Sequence, residues 1–402
     1  MRHATVTFVR GLLIAAAVLT AASAGAPASA GRGGGGAPLA GTALQSELYG
    51  VSCSSASACT AVGDAVTSAG ASVTVAERWN GTAWAIQSTP SPSGAAATYL
   101  NGVSCAAASA CTAVGQYVTS AGATVPLAER WNGTAWAVQS TPSPSGATAS
   151  FLNAVSCASA SACTAVGYSR TSTGTTLPLA ERWDGTAWAI QSMPTPGAAT
   201  ATYLLGVSCT SASACTATGF YLTSAGASVP VAERWNGTAW AIQSTPSPSG
   251  ATASQLYGVS CAAASACTAV GSYVTSAGAT VPLAERWDGT TWAIQSTPTP
   301  SDAIASYLNG ASCTSASACT AVGWYEVGPG EYETLAERWD GTAWAVQSTP
   351  NPSGATASYL FGVSCTAAPT CSAVGYDLNP SYTALAEGWN GTGWAIQSTP
   401  TP

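Results

Sequence analysis

A 52-residue unit recurs seven times without a slip in register. Its clearest copy runs from Leu100 to Ser140, LNGVSCAAASACTAVGQYVTSAGATVPLAERWNGTAWAVQS. One cysteine falls at Cys53, Cys105, Cys157, Cys209, Cys261, Cys313 and Cys365, and a second follows six positions later in each copy, from Cys59 to Cys371. A tryptophan pair closes every unit, from Trp79/Trp84 to Trp389/Trp394, and only the last copy is shortened, by two residues. A fixed period of this size means that each unit is one supersecondary element, unable to bury its apolar face except against a neighbour. The length of 402 residues would otherwise suggest two or three domains. Seven copies with no spacer make one object instead.

Within a unit the pattern predicts four strands. Strand a spans 100–105, b 112–119, c 124–131 and d 134–140. Ser120-Ala121-Gly122 turns b into c, and Asn132-Gly133 turns c into d, since Asn-Gly and Asp-Gly favour two-residue hairpin turns. A Pro/Ser/Thr/Gly-rich stretch carries the chain to the next unit, where proline discourages further strand pairing. A two-residue turn sets Trp131 opposite Thr134 and Glu129 opposite Trp136. Side chains alternate along a strand. Leu127, Glu129, Trp131, Trp136 and Val138 therefore share a bulky face, and Ala128, Arg130, Ala135, Ala137 and Gln139 share a small one. Large face on small face, repeated head to tail, closes into a ring. The expected fold is all-β: a seven-bladed β-propeller over residues 47–402, with four antiparallel strands per blade and repeats starting near 48, 100, 152, 204, 256, 308 and 360. A β-solenoid is the alternative, but 52 residues with two tight hairpins is long for one coil.

These motifs resemble kelch repeats of galactose-oxidase-like propellers. Ala113-Val114-Gly115 sits where a kelch strand b ends in its glycine pair. Ala-Glu-Arg-Trp (128–131), the Asn-Gly turn and Trp136 follow the kelch order, and Pro142 and Pro144 also fit. The second glycine is missing, and paired cysteines are not part of that pattern. The Trp-Asp-Gly-Thr-Ala-Trp string at 183–188 also resembles sialidase Asp-boxes and fucose-lectin blades, although Asp and Gly are adjacent here. The resemblance implies a propeller. It does not bring copper chemistry, because the metal-binding histidines of galactose oxidase have no counterpart.

Residues 1–30 read as a secretory signal: Arg2 and Arg10, an apolar run from Gly11 to Ala22, and small-residue cleavage sites at Ala28-Ser29-Ala30 or Ala22-Ser23-Ala24. The run is short for a spanning helix. Residues 31–46 read as a Gly-rich flexible leader, with Gly41 to Ser46 a worn copy of the closing GTAWAIQS. With the last repeat ending at Pro402, no wall-sorting or GPI-type tail is expected. Fourteen cysteines at constant spacing suit an oxidising compartment, so the expectation is a secreted protein. Nearest-neighbour pairing gives disulfides Cys53–Cys59, Cys105–Cys111, Cys157–Cys163, Cys209–Cys215, Cys261–Cys267, Cys313–Cys319 and Cys365–Cys371. Metal is not expected, because the spacing is long for zinc and the only histidine is His3. No cofactor is expected either.

The composition excludes several chemistries. Lysine is absent, and the formal net charge of −7 argues against a nucleic-acid partner. Without His or Lys after cleavage, neither a Ser-His-Asp triad nor a Cys-His pair can be assembled. Carboxylate pairs could still run glycoside hydrolysis. Glu77, Glu129, Glu181, Glu233, Glu285, Glu337 and Glu387 recur in every copy, however, which points to structure rather than to a unique catalytic pair. The face assignment suggests that each Glu meets the Arg of the adjoining unit, with one gap where Gly388 replaces Arg. Asn80, Asn132, Asn236 and Asn390 open formal Asn-Gly-Thr glycosylation sequons. The other three units carry Asp at the same place, which turn chemistry allows and a glycan site does not. The first tryptophan of each pair reads as core, and the second is open between core and sugar-stacking platform.

Departures from the repeat are the better guide to function. The b–c and d–a loops should share one face, and unit six departs most there. Its tip holds Trp324, Tyr325, Glu326, Glu331, Tyr332 and Glu333, aromatics and carboxylates of the kind that suit sugars or cations. Asp64, Arg170, Asp302, Asp377 and Tyr382 are weaker departures. The sequence reading is a monomeric, secreted, non-catalytic binding scaffold for an extracellular protein or glycan, with no membrane contact after signal cleavage. A multivalent lectin and a carboxylate-based glycoside hydrolase or lyase are the alternatives.

Overall fold

The computed structural model describes residues 45–366 and 370–402. The expected signal and all but the end of the leader lie outside them; Gln45 and Ser46 open the first strand. The described residues form 28 strands, four in each repeat unit. In unit two these are strand a (Ala95–Ala107), b (Ala110–Thr119), c (Thr124–Trp131) and d (Trp136–Gln139), joined antiparallel in the order a-b-c-d. The architecture is an all-β propeller. Among the described residues no helix is long and apolar enough to cross a membrane.

Adjoining units share one seam chemistry. Unit two places Leu100, Val103, Leu127 and Trp136 against Val62 and Ala76 of unit one, bulky face on small face. Burying each leucine contributes roughly 1.5–3 kcal/mol. At the inner edge Cys105 N–H donates to the Ser52 hydroxyl of the preceding unit at 2.9 Å. The same bond joins the last unit to the first, from Cys53 N–H to Ser364. Leu48 packs beside Val374, Ala384 and Ala386, so the chain closes on itself.

The expectation of seven separate four-stranded blades is corrected. Hydrogen bonding gathers the strands into four sheets of 4, 12, 4 and 8 strands. Single parallel bridges, Thr124↔Ala149, Thr176↔Ala201 and Tyr332↔Ala357, tie strand c of one unit to strand a of the next. Each bridge lies at the start of strand a, at Ala149, Ala201 and Ala357. A count of seven discrete blades is therefore not retained.

The c–d turn also differs from expectation. Trp131 pairs with Trp136 and Glu129 with Val138, which leaves a four-residue turn from Asn132 to Ala135. Asn132 Oδ1 accepts from Thr134 N–H, Thr134 Oγ1 and Ala135 N–H at 2.8–2.9 Å. The side chain thus substitutes for a backbone acceptor and widens the loop. Asp184 makes the same three bonds in unit three. A two-residue slip preserves alternation, so the face assignment survives the error in register.

The seven disulfides join each cysteine to its partner six residues on, with no free cysteine among the described residues. The Glu–Arg pairs do not form. Each glutamate is fully enclosed, and the carboxyl oxygens of Glu77, Glu181, Glu233, Glu285 and Glu337 have no hydrogen-bond partner. The arginine leaves in the opposite direction: Arg130 lies 4.7 Å over the Trp183 ring and donates to the Ala160 carbonyl at 2.6 Å. Alternation sends Arg130 toward the bulky face of the following unit, as the pairing requires, but there it meets Trp183 rather than Glu181. The arginine then finds a tryptophan face and a carbonyl within reach at its own height.

Candidate functional site

Strand a carries a bulge in every unit, after Leu48 in the first and after Leu100 in the second. Gly115 on strand b, opposite Leu100, allows it: a Cβ there would fall on the Tyr99 carbonyl. Bulges re-aim side chains. Here the extra residue joins the cross-strand pair just before it. The first column of that pair runs Glu47, Tyr99, Phe151, Tyr203, Gln255, Tyr307, Tyr359 around the units. Opposite stand Asp64, Gln116, Tyr168, Phe220, Ser272, Trp324, Tyr376. The bulged residues are Tyr49, Asn101, Asn153, Leu205, Tyr257, Asn309 and Phe361. No two units carry the same triplet, although the strands around them are nearly identical.

The variable side chains reach toward the following unit. Tyr168 meets Tyr203 edge-on at 5.0 Å, and Asn101 donates to Gln116 Oε1 at 2.7 Å and to the Leu152 carbonyl at 2.8 Å. From unit six through seven into one they merge. Trp324 stacks on Tyr307 at 4.1 Å and meets Tyr359 edge-on at 5.4 Å. Tyr359 continues to Tyr376 at 5.1 Å, and Tyr376 to Phe361, Tyr382 and Tyr49 at 5.4, 5.4 and 6.5 Å. Tyr49, Tyr307, Phe361 and Tyr382 are half-buried, whereas Trp324 and Tyr376 are enclosed beneath them.

Charge concentrates on the same sector. Of the seventeen carboxylates, seven are the enclosed strand-c glutamates and three are turn aspartates. The other seven are Glu47, Asp64, Asp302, Glu326, Glu331, Glu333 and Asp377; six belong to units six, seven and one, and Asp302 lies in the connection from unit five to unit six. Tyr49 donates to Glu47 Oε2. Burial first, then Asp64 and Glu47, hold the Tyr49 phenol well above its ordinary range. Burial pushes Asp377 up to about 6. Flat aromatic faces flanked by acceptors can stack on a pyranose ring and receive its hydroxyls.

The unit-six tip residues do not form one cluster. Trp324, Glu326 and Tyr332 share the face toward unit seven, with Tyr332 5.4 Å from Trp324. Tyr325 and Glu333 lie on the other face, where the Tyr325 hydroxyl donates to Glu333 Oε2 at 2.6 Å. Glu331 stands exposed at the tip. Trp324, expected as a ligand-binding residue of the tip, is 5% exposed and packs against Tyr307, Tyr332 and Tyr359. Tyr49, Tyr359, Phe361 and Tyr376 went unnoticed in the sequence reading. A column-by-column comparison of the copies at strand a would have found them.

No family model matches the chain, and no curated protein matches it. Solved structures do. The ulvan lyase described as a new family of polysaccharide lyase superposes with a TM-score of 0.51 at 8% identity, covering 85% of this chain and 94% of its own. A fungal lectin from Aleuria aurantia, described as six-bladed against the seven blades expected from the repeat count, has a TM-score of 0.43 at 13% identity over 73% of this chain and 92% of its own. YCF48 from Cyanidioschyzon merolae has a TM-score of 0.45 at 11% identity over 83% and 94%. At these identities the likeness is one of fold. The kelch-like assignment is not what these comparisons return.

Proposed function

We propose that this chain is a secreted, non-catalytic glycan-binding protein. Its ligand lies against the half-buried aromatic wall of units six, seven and one. One observation carries the reading: repeats that are otherwise near copies differ at the inner-strand triplets, and in this sector those triplets combine tyrosine and phenylalanine faces with carboxylates. A purely structural column would repeat like the leucine beside it. Disulfides in every unit suit export to an oxidising compartment. The lectins among the similar structures bind fucosides; a ring sugar with an apolar face is the class this wall would take.

A glycan array probed with the oxidised chain, and with Tyr49→Ala and Tyr382→Ala, tests this. Binding that falls at least tenfold in both variants supports the wall as the site. Binding that persists with several sugars per chain moves the site to the repeated tryptophans. No binding to any glycan overturns the reading in favour of a protein partner.

A further inference from the structure

Six of the seams between units hold a guanidinium, and the remaining seam is built for one without having it. Arg130, Arg182, Arg234 and Arg286 lie 4.7–4.8 Å over Trp183, Trp235, Trp287 and Trp339 of the following unit, and Arg78 and Arg338 lie 5.5 and 5.8 Å over Trp131 and Trp389. The guanidinium also donates to the disulfide-loop carbonyl beneath, as Arg182 does to Ala212 at 2.6 Å and Arg234 to Ala264 at 2.7 Å. At the seam from unit seven to unit one, Gly388 stands where the arginine should be. The Trp79 ring and the Ala56 carbonyl remain. A cavity of about 330 Å³ opens there, lined by Trp79, Ala56, Gly388, Asn390, Ser364 and Gln397.

The indole N–H of Trp79 records the change. It donates to the Ala56 carbonyl at 3.2 Å, whereas the N–H groups of Trp131, Trp183, Trp235, Trp287 and Trp339 have no partner. In those units the loop carbonyl serves the arginine instead. A carbonyl has two lone pairs, so Ala56 can still accept from a second donor. A planar guanidinium matches a tryptophan face better than a compact ammonium does.

We propose that this slot binds a guanidinium group presented by another molecule, namely an arginine side chain of a partner peptide. It stacks on Trp79 and donates to the Ala56 carbonyl, completing the ring of seam contacts. The slot lies among the disulfide loops and Asn-Gly turns, away from the aromatic wall, so the failure of either reading leaves the other standing.

The test titrates N-acetyl-arginine methylamide into the full oxidised chain and follows the Trp79 indole resonance. A saturable shift is expected, at least tenfold weaker with the lysine analogue. Gly388→Arg should abolish it by filling the slot from within and should raise the thermal midpoint. Gly388→Ala places a Cβ against Gln397 Nε2 and so turns that side chain aside, but it adds no guanidinium and should keep the response. No saturable shift in the wild-type chain, or an equal shift in Gly388→Arg, overturns the assignment.

Discussion

Seven enclosed glutamates set the pH response of the whole ring. Glu233 is representative: it is fully buried, and burial raises its carboxyl from 4.5 to about 8. Its strand neighbours are Ala217 and Ile242, with no charged group opposite. Because the folded pKa lies above the unfolded one, the folded chain holds the proton through a window from about 4.5 to about 8 in which the unfolded chain has released it. Stability from this group is intact below the window and falls as pH rises through it. Each pKa unit is worth about 1.4 kcal/mol, so one glutamate costs up to about 5 kcal/mol by pH 8. Glu233→Gln removes the proton from the balance while keeping the side chain's shape. The difference in unfolding free energy between variant and wild type should be small at pH 4.5 and should grow by about 1.4 kcal/mol per pH unit above it. Guanidinium denaturation with disulfides intact, at pH 4.5, 6 and 7.5, measures it. A difference that stays flat across those three pH values would mean that Glu233 ionises at its ordinary value, and the argument from burial would fall.

Other perturbations separate the remaining devices. Arg234→Ala should lower stability by about 1–2 kcal/mol, through lost stacking on Trp287 and the lost Ala264 bond, read as a fall in thermal midpoint. Asn132→Asp should leave the melting curve unchanged near neutral pH, while Asn132→Ala should cost about 1 kcal/mol by leaving the turn amides without an acceptor. Asp184, held at about 2 from 3.8 by its Thr186 and Ala187 hydrogen bonds, contributes stability that is present above 3.8 and lost as pH falls through about 2; Asp184→Asn should flatten that acid limb in a pH-dependent melt. Replacing both Cys209 and Cys215 by serine should cost about 2 kcal/mol by the loop-entropy relation, measured by denaturation.

What could be read from the sequence was what repeats. The period, the four strands, the facing of Leu127 against the preceding unit's alanine and the cysteine pairing each appear in every copy, so a single physical rule is tested many times. Errors arose where a side chain outcompeted the backbone. Asn132 supplies its own acceptor and lengthens the turn, which alternation alone cannot reveal. Opposite charges predict Arg130 beside a carboxylate, yet the following unit gives it the Trp183 face and the Ala160 carbonyl instead. The aromatic wall was missed for a different reason. Tyr49, Phe361 and Tyr376 are ordinary strand residues one at a time, and only the bulge after Leu48 and its equivalents turns them toward one place.

The same repetition allows function to be separated from fold by transplantation. Unit five fills its inner triplet with Gln255, Tyr257 and Ser272, where the Tyr257 hydroxyl bonds Gln255 at 2.7 Å and Ser272 at 2.9 Å. Unit seven fills it with Tyr359, Phe361 and Tyr376. Since both sets sit on the same bulged strand pair, Tyr359→Gln, Phe361→Tyr and Tyr376→Ser together import a triplet that the backbone already accommodates. The swap forfeits the ring contacts to Trp324, Tyr382 and Tyr49, each worth about 0.5–1.5 kcal/mol, and keeps the leucine core and the seam bonds. The chain should remain folded, with a lower midpoint and unchanged far-ultraviolet dichroism, and should lose glycan binding. An unfolded product would make the aromatic wall a structural element, because a triplet tolerated in unit five would then be intolerable in unit seven for reasons of packing alone.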